Sequence, residues 1–250
     1  SFPMNVKQFL DSTYLKTAAQ AGISEAENQL VVQNAIQEAI DEDFKLIMIR
    51  PEYVALAKKM ISDANSKVTI GTVIDFPKGD NNLDFKIAEA KLAIQNGADD
   101  LDFVLDYEAF KRGEVELVKN QVIACTKLGL EHHKIVKWII EVAALTPQQI
   151  IQLTALVKNC VIANFKEAQY EKVFVKSSTG FYPTQNGLPN GATIETITLM
   201  LENACPLPVK AAGGVRSYDE AVAMIKLGVK RIGTSAAKAI ASGQTSQSEY

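Results

Sequence analysis

Cysteine is scarce in this 250-residue chain: Cys125, Cys160 and Cys205 are far apart and none belongs to a CxxC pair. That excludes a disulfide-stapled scaffold and cysteine-rich zinc modules, and it suits free thiols in a reducing cytosol. Histidine is scarcer. His132 and His133 are neighbours in the charged stretch GLEHHK, which reads as a solvated turn rather than a metal or catalytic site. No apolar run approaches the roughly 20 residues a membrane-spanning helix needs. The opening SFPMNVKQFL lacks the charged and apolar regions of a secretory signal. Positive charge is not in excess either. A net charge of -3 gives no basic field for nucleic acid or anionic lipid. A cytoplasmic protein acting on small molecules is the class that remains.

What is present is alternation. Short apolar, β-branched runs recur at 6–11, 45–50, 68–74, 100–105, 134–141, 172–177, 208–212 and 231–235. Longer amphipathic stretches separate them. Ser24 with Glu27, and Ser217 with Glu220, carry the capping-box spacing that opens a helix. Pro51 suits a first helical turn, and Gly97 and Gly228 stand where helices give way to strands. Eight β–α alternations make an α/β protein with a parallel sheet, closed into a barrel or open and doubly wound. No Gly-rich dinucleotide fingerprint follows the first strand, which counts against the open form. The strands also carry Asp102, Lys137, Glu141, Lys176 and Lys210. Charges in buried strands are costly, but a barrel can gather them at its C-terminal mouth. The expected fold is therefore a single (β/α)8 TIM barrel over residues 1–250, with 241–250 as a flexible polar tail. The irregular stretch 180–193 reads as a mouth loop.

Two lysines stand in matching contexts. Lys176 follows VFV and precedes SSTG; Lys210 follows PV and precedes AAGG. A free lysine amine is neutral in about one molecule in a few thousand at pH 7. Burial and a second cation both increase that fraction, and only the neutral amine attacks a carbonyl. On adjacent strands the two lysines would depress each other's pKa. Each could instead end its strand and extend to water, but the repeated context with glycines beside both favours chemistry. The paired glycines of AGGVR (212–216) after strand seven and the glycine of IGTSA (232–236) closing strand eight suit a phosphate held by backbone N–H groups. Asp102 can hold a lysine charged or position water for proton transfer. Lys137 can pair with Asp102 or with Glu141.

The motifs LDSTYLK (10–16), TVIDFPKGD (72–80), NGADDLDFVLD (96–106), KWIIEVAAL (137–145), FVKSSTGF (174–181), VKAAGGVR (209–216) and RIGTSA (231–236) span nearly the whole chain. Together they resemble the deoxyribose-phosphate aldolases, class I aldolases of deoxynucleoside breakdown. The resemblance implies Lys176 as the Schiff-base lysine, Lys210 as the cation that perturbs it, and Asp102 in the proton relay. It implies Gly180, Gly213, Gly214, Gly233 and Ser235 at the phosphate, with Asp11 and Thr179 as further substrate contacts. It implies no metal or other cofactor, small phosphosugar and aldehyde substrates, and a possible homo-oligomer. Some members end in a tyrosine that reaches the active site. The seven residues after Gly243 can span roughly 25 Å, so Tyr250 is expected to assist proton exchange.

The chain departs from the family pattern at several points. It has DST where a histidine is common, Met48 where a cysteine is common, EVA in place of ETG at 141–143, a large Trp138, and Ala236 where a second serine is common. These bear on substrate preference rather than mechanism. Two other readings fit the same residues: another lysine-dependent aldolase or isomerase, which a panel of phosphosugars would separate, and a phosphosugar-binding barrel that forms no imine.

Overall fold

A computed structural model describes residues 4–248. Eight parallel strands close into a barrel in sequence order, β1 pairing with both β2 and β8. The strands are β1 (Leu10–Tyr14), β2 (Leu46–Ile49), β3 (Thr69–Ile74), β4 (Asp100–Val104), β5 (Ile135–Ile139), β6 (Val173–Lys176), β7 (Val209–Ala212) and β8 (Arg231–Thr234). Around them run α1 (Ala18–Ala21), α2 (Glu25–Glu42), α3 (Val54–Asp63), α4 (Leu83–Asn96), α5 (Tyr107–Lys111) and α6 (Val115–Glu131). The ring continues with α7 (Pro147–Asn164), α8 (Ile194–Ala204), α9 (Tyr218–Leu227) and α10 (Ala237–Ser248). This is the (β/α)8 barrel expected from the sequence.

Local chemistry sets the helix ends. Ser24 and Ser217 form the anticipated capping boxes with Glu27 and Glu220. Thr17, Thr146 and Thr193 form three more. Each satisfies backbone N–H groups that have no partner inside the helix. Gly97 ends α4 at φ 114°, a conformation most side chains avoid.

Two boundaries differ from the sequence expectation. The first run was placed at 6–11, but Val6–Phe9 is a 3-10 turn and the strand starts at Leu10. Val6 is buried while Lys7 and Phe9 are partly exposed, so the apolar pattern marks a turn packed against α10 rather than a strand face. At the other end the polar tail was expected from 241. Instead α10 remains helical to Ser248. Tyr250 lies outside the described residues.

Alternation along the strands divides the buried side chains. One set, including Val136, Trp138, Leu101, Phe103, Ile47 and Ile49, packs against the helices as the main core. Trp138 stacks on Phe103 with centroids 5.0 Å apart, and its indole N–H donates to Thr126 at 2.9 Å. The largest departure from the family motif thus faces away from the barrel interior. Met48 is buried in a small apolar cluster with Leu15, Leu46 and Val73. Its methyl lies where a Cβ on Gly71 would fall, 2.5 Å away, so Gly71 makes room for it.

One buried ion pair fastens the loop after β3. Lys86 on α4 is fully buried, bonds the Asp75 carboxylate and donates to the Gly79 carbonyl at 2.6 Å. Asp75 also accepts from the Asn81 backbone and side chain at 3.1 and 2.7 Å. Removing one partner of a buried pair strands the other charge. Lys86→Met should therefore lower unfolding free energy by about 3–5 kcal/mol in urea titrations. The double variant Asp75→Asn/Lys86→Met should regain much of that loss.

Candidate active site

Strand register gathers the charges. Asp102 lies opposite Lys137 on β5, Lys176 opposite Lys210 on β7, and Lys210 opposite Arg231 on β8. All these side chains are at least nine-tenths buried, and the three lysines meet around the Asp102 carboxylate. Asp102 Oδ1 accepts from Lys137 Nζ at 2.8 Å, and Oδ2 accepts from Lys176 Nζ at 3.1 Å and Lys210 Nζ at 3.0 Å. In the same layer, Asp11 lies 2.7 Å from Lys210 Nζ and accepts from Arg231 at 2.9 Å. Asp100 Oδ2 accepts from both Lys137 at 2.8 Å and Arg231 at 3.1 Å. Lys137 thus pairs with Asp102 and Asp100, and its alternative partner Glu141 is engaged elsewhere.

Charge states follow from this geometry. Burial pushes the Lys176 amine down, Lys210 and Lys137 push it further, and Asp102 only partly restores it, leaving a pKa of about 8. Burial would raise the Asp102 carboxyl, but Lys137, Lys210 and Lys176 hold it far below the usual carboxylate range. Asp102 is therefore a fixed anion. Burial would likewise raise Asp11, and Lys210, Arg231 and Lys137 hold it low. Lys137 is lifted above the usual lysine value: burial opposes its charge, but Asp100, Asp102 and Asp11 outweigh it. At a pKa near 8, roughly one Lys176 in ten is neutral at pH 7, against one in a few thousand for a free lysine.

Above the charges is a cavity of about 370 Å³ at the C-terminal mouth of the barrel. Lys176 and Thr179 reach it from the end of β6, with Gly180 beside them. Gly213 and Gly214 border it after β7, Gly233 within β8, and Ser235 just after β8. Both glycines of the first pair have positive φ, 88° and 85°, and Gly213 packs against the backbone of Gly191 so closely that a Cβ would fall 2.7 Å from its Cα. A Cβ on Gly233 would fall 3.0 Å from Lys210 Cε, so this glycine leaves room for the lysine stem. Ser177 links the two lysine strands: its hydroxyl donates to the Ala212 carbonyl at 2.8 Å and accepts from the Ala212 N–H at 2.9 Å.

One expected substrate contact is not on the cavity wall. Asp11 is fully buried and held by Lys210 and Arg231 beneath the mouth. Its motif position predicted a ligand, but it points into the ionic layer. Thr179 borders the cavity, and its N–H and hydroxyl both donate to Glu141. Glu141 sits just past β5 at φ 60°, and burial pushes its carboxyl up to about 7 against the Thr179 hydrogen bonds and Lys176. Sequence reasoning gave no role to Lys16, Arg216, Asn190 or Phe181, which also line the cavity. Three of these close quoted motifs, Lys16 in LDSTYLK, Phe181 in FVKSSTGF and Arg216 in VKAAGGVR, and for Arg216 the charge beside the paired glycines was the available signal. Arg231 and Asp100 were also missed, although an arginine opening an apolar strand is as unusual as a lysine ending one.

Among the described residues, no group of three or more His, Cys, Asp or Glu could hold a metal ion, and no helix is long and apolar enough to cross a membrane. Comparison with known proteins agrees with the geometry. The deoxyribose-phosphate aldolase of Streptococcus gordonii is 36% identical over 248 residues, 99% of this chain and 100% of that protein. That of Lactococcus lactis is 37% identical over 248 residues, with the same coverage. The solved deoxyribose phosphate aldolase of Aeropyrum pernix, described as a unique tetramer, superposes with a TM-score of 0.77 at 27% identity, covering 97% of this chain and 92% of that one. Residues 15–244 match the model of the DeoC/LacD family aldolases, and the chain belongs to that family.

Proposed function

We propose that the protein is a class I aldolase that reversibly cleaves 2-deoxy-D-ribose 5-phosphate to acetaldehyde and D-glyceraldehyde 3-phosphate. The observation that carries this reading is Lys176: a buried amine with a lowered pKa at the base of a mouth cavity, flanked by Lys210 and Asp102. Neutral Lys176 adds to the C1 aldehyde, and loss of water leaves an iminium. The C3 hydroxyl then gives up its proton to a water held by Asp102 and Lys210, the C2–C3 bond breaks, D-glyceraldehyde 3-phosphate leaves, and the bond's electrons enter an enamine. Protonation at C2 and hydrolysis release acetaldehyde and the free amine. The iminium is the electron sink, so the route needs no metal.

Asp102 stays ionised throughout and acts by holding Lys176, Lys210 and water rather than by exchanging its own proton. Gly213, Gly214, Gly233 and Ser235 would receive the phosphate at the far side of the cavity, where backbone can approach an anion closely. Lys16 and Arg216 on the same wall add positive charge suited to a phosphate. Asp11 enters this reading as a partner of Lys210, not as a substrate ligand. The tetrameric relative favours self-association of this chain as well.

Borohydride with acetaldehyde should add one ethyl group, mapped by peptide mass to Lys176. An adduct on Lys210 or Lys137 would reassign the nucleophile, and no adduct would favour a binding protein without turnover. The value of kcat/KM should rise with pH and level off above about 8, because the reacting form is the deprotonated amine. Below that point it should fall about tenfold per unit. Lys210→Leu removes the neighbouring cation and frees Asp102 Oδ2 for Lys176, so both changes favour the charged amine. Activity at neutral pH should drop by at least about tenfold and recover partly at higher pH. Wild-type activity in that variant would make Lys210 purely structural.

A further inference from the structure

The ionic layer inside the barrel contains four cations, Lys137, Lys176, Lys210 and Arg231, and three carboxylates, Asp11, Asp100 and Asp102. They come from β1 and from β4 to β8. The remaining strands bring no charge to it: β2 and β3 contribute Leu46, Met48 and Val73 to an apolar cluster. Glu141 lies at the mouth side, just past β5, where Thr179 binds it. Counted this way, the layer is balanced when one of its four cations is neutral. Lys176 is the one that borders the cavity and has a single carboxylate partner; Lys210, Lys137 and Arg231 each have two or more.

Arg231, unlike Lys176, does not line the cavity. Its guanidinium lies over the Phe174 ring at 5.6 Å and bridges Asp11 and Asp100. Those two carboxylates are the other partners of Lys210 and Lys137. Arg231 therefore draws on the same anions that Lys210 and Lys137 use. The more it takes of Asp11 and Asp100, the more these two lysines depend on Asp102, and the less of Asp102 is left for Lys176.

We propose that Arg231 and Asp100 are positioning residues that decide how strongly Asp102 holds Lys176, acting through Lys137 and Lys210 without touching substrate. The signs are opposite for the two. Without Arg231 the layer has three cations and three anions, so it is balanced with Lys176 charged. Without the Asp100 charge it has four cations and two anions, and Lys176 gives up its proton more readily.

The inference rests on Lys176 as the reacting amine. The test is the initial rate of acetaldehyde trapping at Lys176 with cyanoborohydride, measured by peptide mass across pH for wild type, Arg231→Met, Arg231→Lys and Asp100→Asn. Wild type should give an inflection near 8, set by Lys176. Arg231→Met should move it up by about one unit, with trapping at pH 7 slowed about tenfold and restored at high pH. Arg231→Lys, which keeps the charge, should leave it within about half a unit of wild type. Asp100→Asn should move it down. An unmoved inflection in a folded Arg231→Met, or shifts of the same sign in Arg231→Met and Asp100→Asn, overturns the proposal. If Arg231→Met does not fold, Asp100→Asn decides: a downward shift supports the proposal and an unmoved or upward one overturns it. A wild-type adduct that is absent or on another lysine refutes the aldolase assignment instead, so the two failures are distinguishable.

Discussion

Everything at the mouth of this barrel depends on one carboxylate shared by three lysines. Asp102 is fully buried, and an isolated anion there would be prohibitively costly. Lys137 on one oxygen and Lys176 and Lys210 on the other offset that cost. Three cations around one anion cannot all be equally well satisfied. The shortfall falls on Lys176, the member with the fewest carboxylate partners and the one bordering the cavity. A nucleophile arises here because electrostatic competition leaves one amine undersupplied, while Lys137 and Lys210 remain well paired.

The barrel interior is accordingly divided. On the β2–β3 side it is apolar, through Leu46, Met48 and Val73 beside Leu15. On the remaining strands it is an ion network. The apolar side lowers the local dielectric and strengthens each interaction on the charged side. It also explains why a methionine is accommodated at position 48: the side chain fills space left by Gly71 and is not required to carry charge. The cavity above then has two characters, with Phe181 and Leu15 on one flank and the glycine turns with Arg216 on another. Phe181 packs edge-on against Phe76 at 5.3 Å, which braces that apolar flank.

Much of this was legible in the residues. Parallel strands buried on both faces read as continuous apolar runs, so β2 to β8 were visible, and a charge inside such a run stood out because burial penalises it. That is how Lys176, Lys210 and Asp102 were identified. What was not legible depends on partners brought together by closure. Asp11 was assigned to substrate from its motif, because only the closed barrel puts Lys210 and Arg231 against it. The turn at Val6–Phe9 imitated a strand because one buried valine in a short apolar segment fits either period. Trp138 drew attention by its size, yet the two-residue period of β5 already puts it on the face opposite Lys137. Glu141 was offered to Lys137 as a partner and binds Thr179 instead, because its backbone leaves the strand conformation after Ile139, and a left-handed residue outside glycine is hard to foresee from sequence.

The bond between Asp11 and Arg231 joins residues 220 positions apart, across the seam where the first and last strands meet. Closing a loop of this length costs chain entropy before the contact repays it, so the bond depends on the rest of the barrel. Until the seam closes, Lys210 lacks one of its anions and Lys176 lacks the enclosure that lowers its basicity. A nascent or partly unfolded chain therefore exposes only ordinary, protonated lysines. The reactive amine comes into existence with the finished fold, which confines carbonyl chemistry to molecules that have a complete pocket to direct it.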